Sequence, residues 1–440
     1  MIIVEKDKDL IIDSNQLNSW RSKFMTDIKT IEENQKYVSG KNPYILEKLR
    51  KDATPDNRVP SPFAKIAVED LAGYAASPGK LDIIYEGSEK YKEAMSWVKE
   101  HNKDNVLNAE LYNTACSFGV AYELHYTSDE MSQLTLTPEY TIVDNTEIQI
   151  IYDDSPKPKI KAFIRWRNLN ENGKTVARVY HPYKVDVYKQ GQNGNFYLEK
   201  TEDHVYSRPP LAVFRANRER KPIFDAEKTL IDAHDILVSK SLNEVDRFNA
   251  LIALFPGDVD QEFVDKLNEL KLVDNLGNFD KWPEYMEKTL SNIEGFYNSL
   301  TDRLERLFHK SVKVPDFTSQ DFNSADDSGV SKAFKLLGME FKAAMIDAFF
   351  DSGFLQRFNL INDVVSLETG IDMNDVYFEV KHERNIPINK ALIVQMAVQL
   401  IGILSKEAVL KMLPSDIVPD VELELERLKN ETPEPDNFNI

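Results

Sequence analysis

The sequence contains a single cysteine, Cys116, in 440 residues. One cysteine excludes a disulfide within the chain and a zinc site built from cysteines, and it is typical of a reducing compartment. Long apolar runs are also missing. The longest, Ala391–Leu404, contains two glutamines and is shorter than the roughly 20 residues that cross a bilayer. Because the first residues lack the apolar core of a secretion signal, we expect a soluble protein with no membrane partner, made in the cytoplasm.

Basic residues are scarce. The chain has 54 Lys and Arg against 73 Asp and Glu, for a formal net charge of −19. A sequence-specific DNA-binding protein normally carries a basic surplus, because phosphate neutralisation supplies much of its affinity. The acidic balance therefore argues against tight nucleic-acid binding. It does not exclude a protein that works close to DNA without gripping it.

Catalytic motifs are scarce as well. Residues Asn172–Thr175 end like a phosphate-binding loop, but Asn168 stands where that motif needs glycine, so a hairpin turn is favoured. Asp153 and Asp154 precede Ser155 and a proline, which favours a turn at a strand end over a nuclease metal pair. The seven histidines show no H-E-x-x-H spacing, and no G-x-S-x-G motif occurs. The sequence predicts no enzyme activity, no cofactor and no metal site.

The first half of the chain mixes helical and strand patterns. Apolar residues at helical spacing predict helices over 14–36, 64–74 and 91–118. Short β-branched and aromatic runs then follow between residues 120 and 200, separated by turn pairs such as Asn193-Gly194. This pattern predicts an antiparallel meander. We therefore expect residues 1–224 to form one α+β domain.

The second half is dominated by long helices. A helix is predicted over 225–255, with Asp225 as its N-cap, and an acidic insert over 256–285 follows. The next helix, 286–315, carries apolar residues at heptad spacing. Two long helices joined by an insert at their far ends form a stalk that one copy of the chain cannot bury. The heptad seam consists of Met286, Leu290, Ile293, Tyr297, Leu300, Leu304 and Leu307.

An acidic loop, 316–329, separates this stalk from a third long helix. The loop has four acids and no Lys or Arg. A calcium site of the EF-hand type starting at Asp321 is disfavoured, because Ala325 and Asp326 occupy its fifth and sixth positions. The segment 330–383 begins with a long helix, with Gly338 and Gly353 as candidate kinks, and ends in a strand. The apolar stripe of that helix is predicted to consist of Val330, Phe334, Leu337, Phe341, Met345, Ala348 and Phe349.

The order of these elements resembles that of tailed-bacteriophage portal proteins, with the closer match to portals of siphophages infecting Gram-positive bacteria. The resemblance covers nearly the whole chain, and the ordered set of segments carries it. These segments are Asn57–Gly79, Ala115–Glu130, Ile142–Asp154, Lys161–Arg167, Phe224–Leu251, Ser311–Phe317, Ser328–Lys342 and Arg384–Leu428.

The resemblance implies an α+β portal fold assembled as a ring. It assigns an α/β wing (1–224 and the helix and strand of 330–383), a two-helix stem (225–255 and 286–315), a small α/β clip (256–285), a tunnel loop (316–329), a helical crown (384–430) and a disordered tail (431–440). Portals form dodecamers at one capsid vertex and conduct double-stranded DNA in packaging and ejection. The implied partners are the terminase large subunit, a head–tail connector, and capsid and scaffolding proteins. The implied location is the host cytoplasm during assembly and then the virion.

Two groups of residues are candidates for lining the DNA channel. The first is a basic stripe at helical spacing on the second stem helix, beside its apolar seam. The alternative is that the residues of this stripe form ion pairs with Asp232, Asp235, Glu244 or Asp246 of the first stem helix. The stripe consists of Arg303, Arg306, Lys310 and Lys313; the second group, in the loop, consists of Thr318, Ser319, Gln320, Asp321, Asn323, Asp326 and Asp327.

Phe279 and Trp282 are the candidate contacts of the clip with a partner protein. The alternative is that Trp282 fills the small core of the clip itself. Two other functions stay open at this point. One is a DNA-processing enzyme such as a nuclease or a packaging ATPase, and the other is a structural ring without a DNA conduit.

Overall fold

The computed structural model describes residues 2–5, 10, 12–48, 56–128, 136–168, 175–248, 290–319, 322, 329–371, 375–385, 397–401, 403–411, 413, 417–418 and 421–431. Mixed helices and sheets confirm the α+β class predicted from the sequence. The chain divides into two compact units. One consists of Met1–Asp316 with Leu336–Arg384, and the other of Phe317–Lys335 with Asn385–Ile440.

Helix α1 spans Ser14–Val38 and begins at a capping box. The Asp13 carboxylate accepts from the Gln16 backbone N–H at 2.7 Å, and the Gln16 side chain accepts from the Asp13 N–H at 3.1 Å. The prediction of one helix over 91–118 is wrong, because Lys103 takes a left-handed conformation (φ 55°) and breaks it. The helices after α1 are α2 Phe63–Ala76, α3 Glu89–His101 and α4 Asp104–Phe118.

Eleven strands are defined in the described part of the chain. They are β1 Ile2–Val4, β2 Leu81–Glu86, β3 Val120–Ser128, β4 Thr137–Val143, β5 Ile148–Asp153, β6 Ile160–Asn168, β7 Thr175–Tyr180, β8 Lys184–Gln190, β9 Phe196–Asp203, β10 Leu211–Arg215 and β11 Tyr377–His382.

The predicted meander is correct from β5 to β9, which form consecutive antiparallel pairs in a six-stranded sheet, with β1 added in parallel to β5. The prediction is wrong for β3 and β4, which belong to a separate sheet of order β10-β3-β4. The turn that separates β4 from β5 is closed by the Asp144 carboxylate, which accepts from the Thr146 N–H at 2.8 Å. Strands β6 and β7 pair antiparallel, as the hairpin interpretation of the Asn-Gly-Lys-Thr segment predicted.

The six-stranded sheet is buried on both faces. Ile151 and Ile164 pack with Leu17 of α1 on one face, whereas Ile150 and Phe163 pack with residues of β3 and β10 on the other. Successive strand side chains point to opposite faces, so neighbouring apolar residues in β5 and β6 supply both cores. Strand β11 pairs antiparallel with β2, so a strand that follows the third long helix is joined to the first part of the chain.

Three long helices follow the sheets. They are α5 Lys228–Phe248, α6 Leu290–Val312 and α7 Gly329–Thr369. Asp225 lies in a 3-10 turn before α5 rather than at the N-cap of that helix. In this turn its carboxylate pairs with Lys228 at 2.8 Å. Helix α7 continues through Gly338 and Gly353. A Cβ on Gly353 would lie 2.4 Å from the Phe214 ring, so glycine there permits close contact with β10.

In the second unit, the described helices include α8 Lys406–Lys411 and α9 Val421–Glu431. Across the described parts of the chain, every helix is too short or too polar to traverse a lipid bilayer.

Candidate functional site

Three acids of α5 contact the end of α1 and the segment between α1 and α2. Burial raises the pKa of Asp232, although the Tyr37 hydroxyl donates to its carboxylate. Asp235 is fully buried. Asp232, Asp235 and Asp246 were alternative partners for the basic stripe of α6, but within the protomer they are bound elsewhere. Asp232 accepts from Tyr37 (2.8 Å), Asp235 from the Asn42 side-chain amide (2.8 Å) and the Ser61 N–H (3.0 Å), and Asp246 from the Asn57 side-chain amide.

The C-terminal end of α6 is anchored by apolar packing. Phe308 is 1% exposed and stacks on Phe63 of α2 with ring centroids 5.2 Å apart, while Val312 and Val314 are fully buried. Lys313 takes a left-handed conformation (φ 60°), which ends the helix. This end of α6 is therefore fixed in position, and its residues have defined surroundings.

Lys342 of α7 joins the end of α6 to the chain before α5. Its ammonium group donates to the carbonyls of Val312 (2.7 Å) and Ile223 (3.0 Å). Burial lowers the pKa of Lys342 to about 8. A cation that binds the last carbonyls of a helix interacts favourably with the helix dipole. Lys342 thus connects α7, the end of α6 and the chain before α5 at one point.

The basic stripe predicted on α6 is exposed to solvent. Arg303, Arg306, Lys310 and Lys313 are all exposed, on the side of the helix away from Phe308 and Val312. Within the described ranges, none of the four has a carboxylate at ion-pair distance; Arg306 donates only to the Asp302 carbonyl at 3.3 Å. At 1.5 Å per residue, the stripe runs for about 15 Å along the helix. The protomer leaves these four charges available for an outside partner.

The predicted heptad seam of α6 is only partly covered. Tyr297, Leu300 and Leu304 are half-buried, and Leu307 is 41% exposed. On the neighbouring α5, Leu242 and Val245 are also exposed. Apolar side chains are therefore left uncovered along both helices, as expected for a stalk that one copy cannot bury.

Five of the seven residues of the predicted apolar stripe of α7 lie on the exposed side of that helix, and Phe349 is half-buried. The side chain of Val330 lies outside the described residues. The buried side carries a second row of apolar residues, whereas the sequence pattern predicted only one. The helix is therefore apolar on two faces. A large uncovered apolar surface of this kind is typical of an interaction site. The exposed members are Phe334, Leu337, Phe341, Met345 and Ala348, and the buried row consists of Leu336, Met339, Ala343, Ile346, Phe350 and Phe354.

Two of the loop residues that were predicted to line the channel belong to the described part of the chain. Thr318 is exposed and Ser319 is half-buried. Beside them, the Phe317 and Phe322 rings pack edge to face with centroids 4.9 Å apart. The other predicted site residues lie outside the described residues; they are Gln320, Asp321, Asn323, Asp326 and Asp327 of the loop and Phe279 and Trp282 of the insert.

A buried ionic cluster was missed by the sequence reading. Arg357 of α7 is fully buried and donates to both carboxylate oxygens of Glu123 on β3, with Nε to Oε1 at 2.9 Å. Its guanidinium lies 3.6 Å from Asp104 and 4.9 Å from the Tyr140 ring centroid. No local signal could reveal the cluster, because Arg357 and Glu123 are 234 residues apart.

The charges in this cluster are not equivalent. Burial raises the pKa of Asp104 to about 6 although Arg357 is near. Burial would also raise the pKa of Glu123, but Arg357 and His125 hold it below the ordinary value. Burial lowers the pKa of His125, and the hydrogen bond to Glu123 offsets this only in part. The cluster joins α4, β3, β4 and α7 with one buried cation between two acids.

The side chains of Asp153 and His234 make structural contacts. The Asp153 carboxylate accepts from the Ser155 hydroxyl at 2.6 Å and from the Lys159 N–H at 2.9 Å, which confirms the strand-end turn. His234 packs edge to face on Phe63 with centroids 4.7 Å apart. Among the residues that the structure describes, no three His, Cys, Asp or Glu side chains are grouped to hold a metal ion.

Comparison with known proteins places the chain in a family. One solved structure, described as the neck of an empty GTA particle computed with C6 symmetry, is 12% identical with a TM-score of 0.44, and the match covers 80% of this chain and 89% of that one. No curated protein matches the chain. The family model "Phage portal protein, SPP1 Gp6-like" matches residues 21–436. The chain therefore belongs to this phage portal family, whose role is structural and whose place is a capsid vertex of the virion.

Proposed function

We propose that twelve copies of this chain close into a ring at one capsid vertex, through which double-stranded DNA enters during packaging and leaves during ejection. The observation that carries the proposal is the uncovered apolar surface of α5, α6 and α7 in a single protomer. Each leucine removed from water contributes about 1.5–3 kcal/mol. Helices placed side by side in a closed ring cover such surfaces without leaving a free edge.

The exposed basic stripe of α6 supports a role in the DNA channel. Arg303, Arg306, Lys310 and Lys313 are exposed and, in the described chain, have no acidic partner, although the protein as a whole has a charge of −19. Rings of these cations would attract phosphates without reading sequence. The acidic loop, 316–329, would repel them. Because the Debye length is about 8 Å at physiological salt, only phosphates near the wall would feel either effect.

The same proposal assigns names to the parts of the chain. Residues 1–224 with 330–383 form the wing, 225–255 and 286–315 the stem, 256–285 the clip, 316–329 the tunnel loop, 384–430 the crown and 431–440 the tail. Membership of the portal family supports this assignment.

The proposed partners follow from the family. The terminase large subunit docks during packaging, and a head–tail connector replaces it at the clip, where Phe279 and Trp282 supply the contact. Capsid and scaffolding proteins bind around the wing during assembly in the host cytoplasm. The ring holds its DNA without sequence-specific contacts.

Electron microscopy of the purified protein and native mass spectrometry test the ring. We expect particles with a central hole and a mass of twelve 50.6 kDa subunits. A monomer at every concentration, both alone and when produced with its capsid proteins, would contradict the proposal. Particles assembled around the ring should package DNA. Filled heads obtained without this protein would reject the conduit while leaving a structural ring possible.

A further inference from the structure

A large cleft in the first unit has no role in the proposed channel. It has a volume of about 1070 Å³ and is lined by residues of α1, β3, β5, β10 and α7. Its apolar lining includes Phe24, Tyr122, Ile150 and Val213. The volume is at the upper end of the range of small-molecule pockets, so the cleft has room for a segment of polypeptide.

The cleft is basic in an acidic protein. Its lining includes five cationic side chains and two acidic ones, whereas the whole chain has a net charge of −19. A local reversal of the sign of charge attracts a partner of opposite charge and rejects others. The cations are Lys159, Arg208, Arg215, Arg218 and Arg220, and the acids are Asp27 and Glu219.

Two of the arginines lie on a turn that is already fixed. The Asn217 side chain donates to the Lys221 carbonyl (2.7 Å) and accepts from the Lys221 N–H (3.1 Å), which closes the turn that carries Arg218 and Arg220. The turn lies directly on Gly119, where an added Cβ would be 2.2 Å from the Arg220 carbonyl carbon. A fixed turn loses little conformational entropy on binding.

Three arginines of the cleft form no ion pair with an acid in the described chain. Arg220 donates to the Tyr152 hydroxyl at 2.6 Å and lies 5.1 Å from the centroid of that ring. Burial and the nearby charge of Arg220 lower the pKa of Arg215. In the described chain, Arg215, Arg218 and Arg220 have no carboxylate at ion-pair distance, whereas Arg208 pairs with Asp363 at 3.7 Å. An incoming carboxylate would relieve repulsion between like charges.

Two buried acceptors also line the cleft. The side-chain oxygens of Asn34 and Asn145 have no hydrogen-bond partner in the described chain, and each residue is only 4% exposed. Leaving a buried acceptor unsatisfied costs about 1–3 kcal/mol. A ligand that supplies N–H donors would satisfy these oxygens. Both residues belong to the lining of the cleft, and an extended chain, which carries a free backbone N–H at most residues, is the occupant that brings such donors to them.

We infer that this cleft is a docking site for an extended acidic peptide segment of another protein. The carboxylates of the segment pair with Arg215, Arg218 and Arg220, its backbone N–H groups donate to Asn34 and Asn145, and its apolar side chains cover the floor of the cleft. Aromatic and arginine side chains of this kind are the usual centres of binding energy in an interface. The inference stands on the geometry of the cleft and is independent of the DNA channel.

The test is fluorescence anisotropy with the full-length chain and a labelled octapeptide of alternating Glu and Leu. Its Gln and Leu counterpart is the neutral probe. We expect binding of the acidic peptide only, weakened about tenfold to a hundredfold by Arg218→Glu. Arg218 is exposed, so the variant should fold. The matched control is Lys29→Glu, an exposed position on α1 outside the lining of the cleft, which should leave binding unchanged.

A second variant separates binding from folding. Asn34→Leu removes a buried unsatisfied acceptor, so we expect a higher Tm together with weaker peptide binding, a combination that a purely structural asparagine would not produce. The inference fails if the acidic peptide does not bind, if the neutral peptide binds equally, or if Arg218→Glu has no effect. It also fails if duplex DNA competes as well as the peptide. If Arg218→Glu changes the oligomeric state instead, the occupant is a second copy of this chain and the inference is wrong.

Discussion

Arg357 on α7 and Arg306 on α6 place the same side chain in opposite surroundings. Arg357 is fully buried, bound to Glu123 at both carboxylate oxygens and close to Asp104. Arg306 is exposed and donates only to a backbone carbonyl of its own helix. The charge of Arg357 is neutralised by acids of the same chain. The charge of Arg306 has no such partner in the described chain and is available to another molecule. The comparison separates residues that hold the protomer together from residues that serve the assembly.

The largest effect is expected at the buried arginine. Arg357→Met leaves the Glu123 carboxylate buried without its cation, and breaking a buried pair in this way costs about 3–5 kcal/mol. Guanidinium unfolding at fixed protein concentration measures the loss. The matched variant, Arg306→Met, should change the free energy of unfolding by less than about 0.5 kcal/mol. Equal losses in the two variants would remove the distinction between the two regions.

The next effect concerns assembly. Leu304→Asp places a carboxylate in the half-buried seam of α6, where burying a charge without a partner is costly. We expect the ring to dissociate in sedimentation experiments while the circular dichroism of the protomer stays native. Asn298→Asp adds the same charge at an exposed position of α6 and should assemble normally. A Leu304→Asp protein that sediments like the wild type would show that the seam is not a contact between subunits.

The buried cluster also predicts a pH dependence. Burial raises the pKa of Asp104 to about 6, whereas an aspartate in the unfolded chain has a pKa of about 3.9. Between these values the folded protein binds more protons, so the Asp104 contribution to stability falls as pH rises from about 4 to 6. When the pH is lowered from 7 to 4, the free energy of unfolding of the wild type should therefore rise by up to about 3 kcal/mol relative to that of Asp104→Asn.

The pH prediction is checked by urea unfolding at several pH values. Asp302→Asn, on the exposed surface of α6, serves as the control for removal of a carboxylate without burial. If the difference between the wild type and Asp104→Asn is constant with pH, Asp104 does not titrate in this window and the electrostatic account of the cluster is wrong.

The smallest effect on stability is expected at the basic stripe. Lys310→Gln with Lys313→Gln should change neither the free energy of unfolding nor ring formation, since both side chains are exposed. The amount of DNA packaged or retained should change, and more strongly at low salt, where screening is weaker. Lys23→Gln with Lys29→Gln on α1 removes the same charge from another exposed surface. Weaker rings in the Lys310 and Lys313 variant would place these lysines in subunit contacts and reject the channel role.

Local pattern was enough to find most of the elements. Period-two alternation and turn pairs located the meander from β5 to β9, and helical spacing located α1, α2 and the three long helices. The sequence could not assign β3 and β4 to a sheet, because strand pairing depends on β10, which lies about 90 residues further along the chain than β3. It also missed the break at Lys103, since a left-handed lysine has no strong sequence signal.

The sequence by itself determined the α+β class, the acidic balance, the spacing of the basic stripe and the order of elements that marks the portal family. Only the tertiary structure decided which of these residues are exposed and can contact a partner. Apolar spacing along α7 fits two faces equally well, and the neighbours in space put Phe341 on the exposed face and Phe350 on the buried one. Contacts between distant residues likewise bury Arg357 and leave Arg306 in solvent. Burial is a property of the neighbours in space, and no local stretch of sequence specifies them.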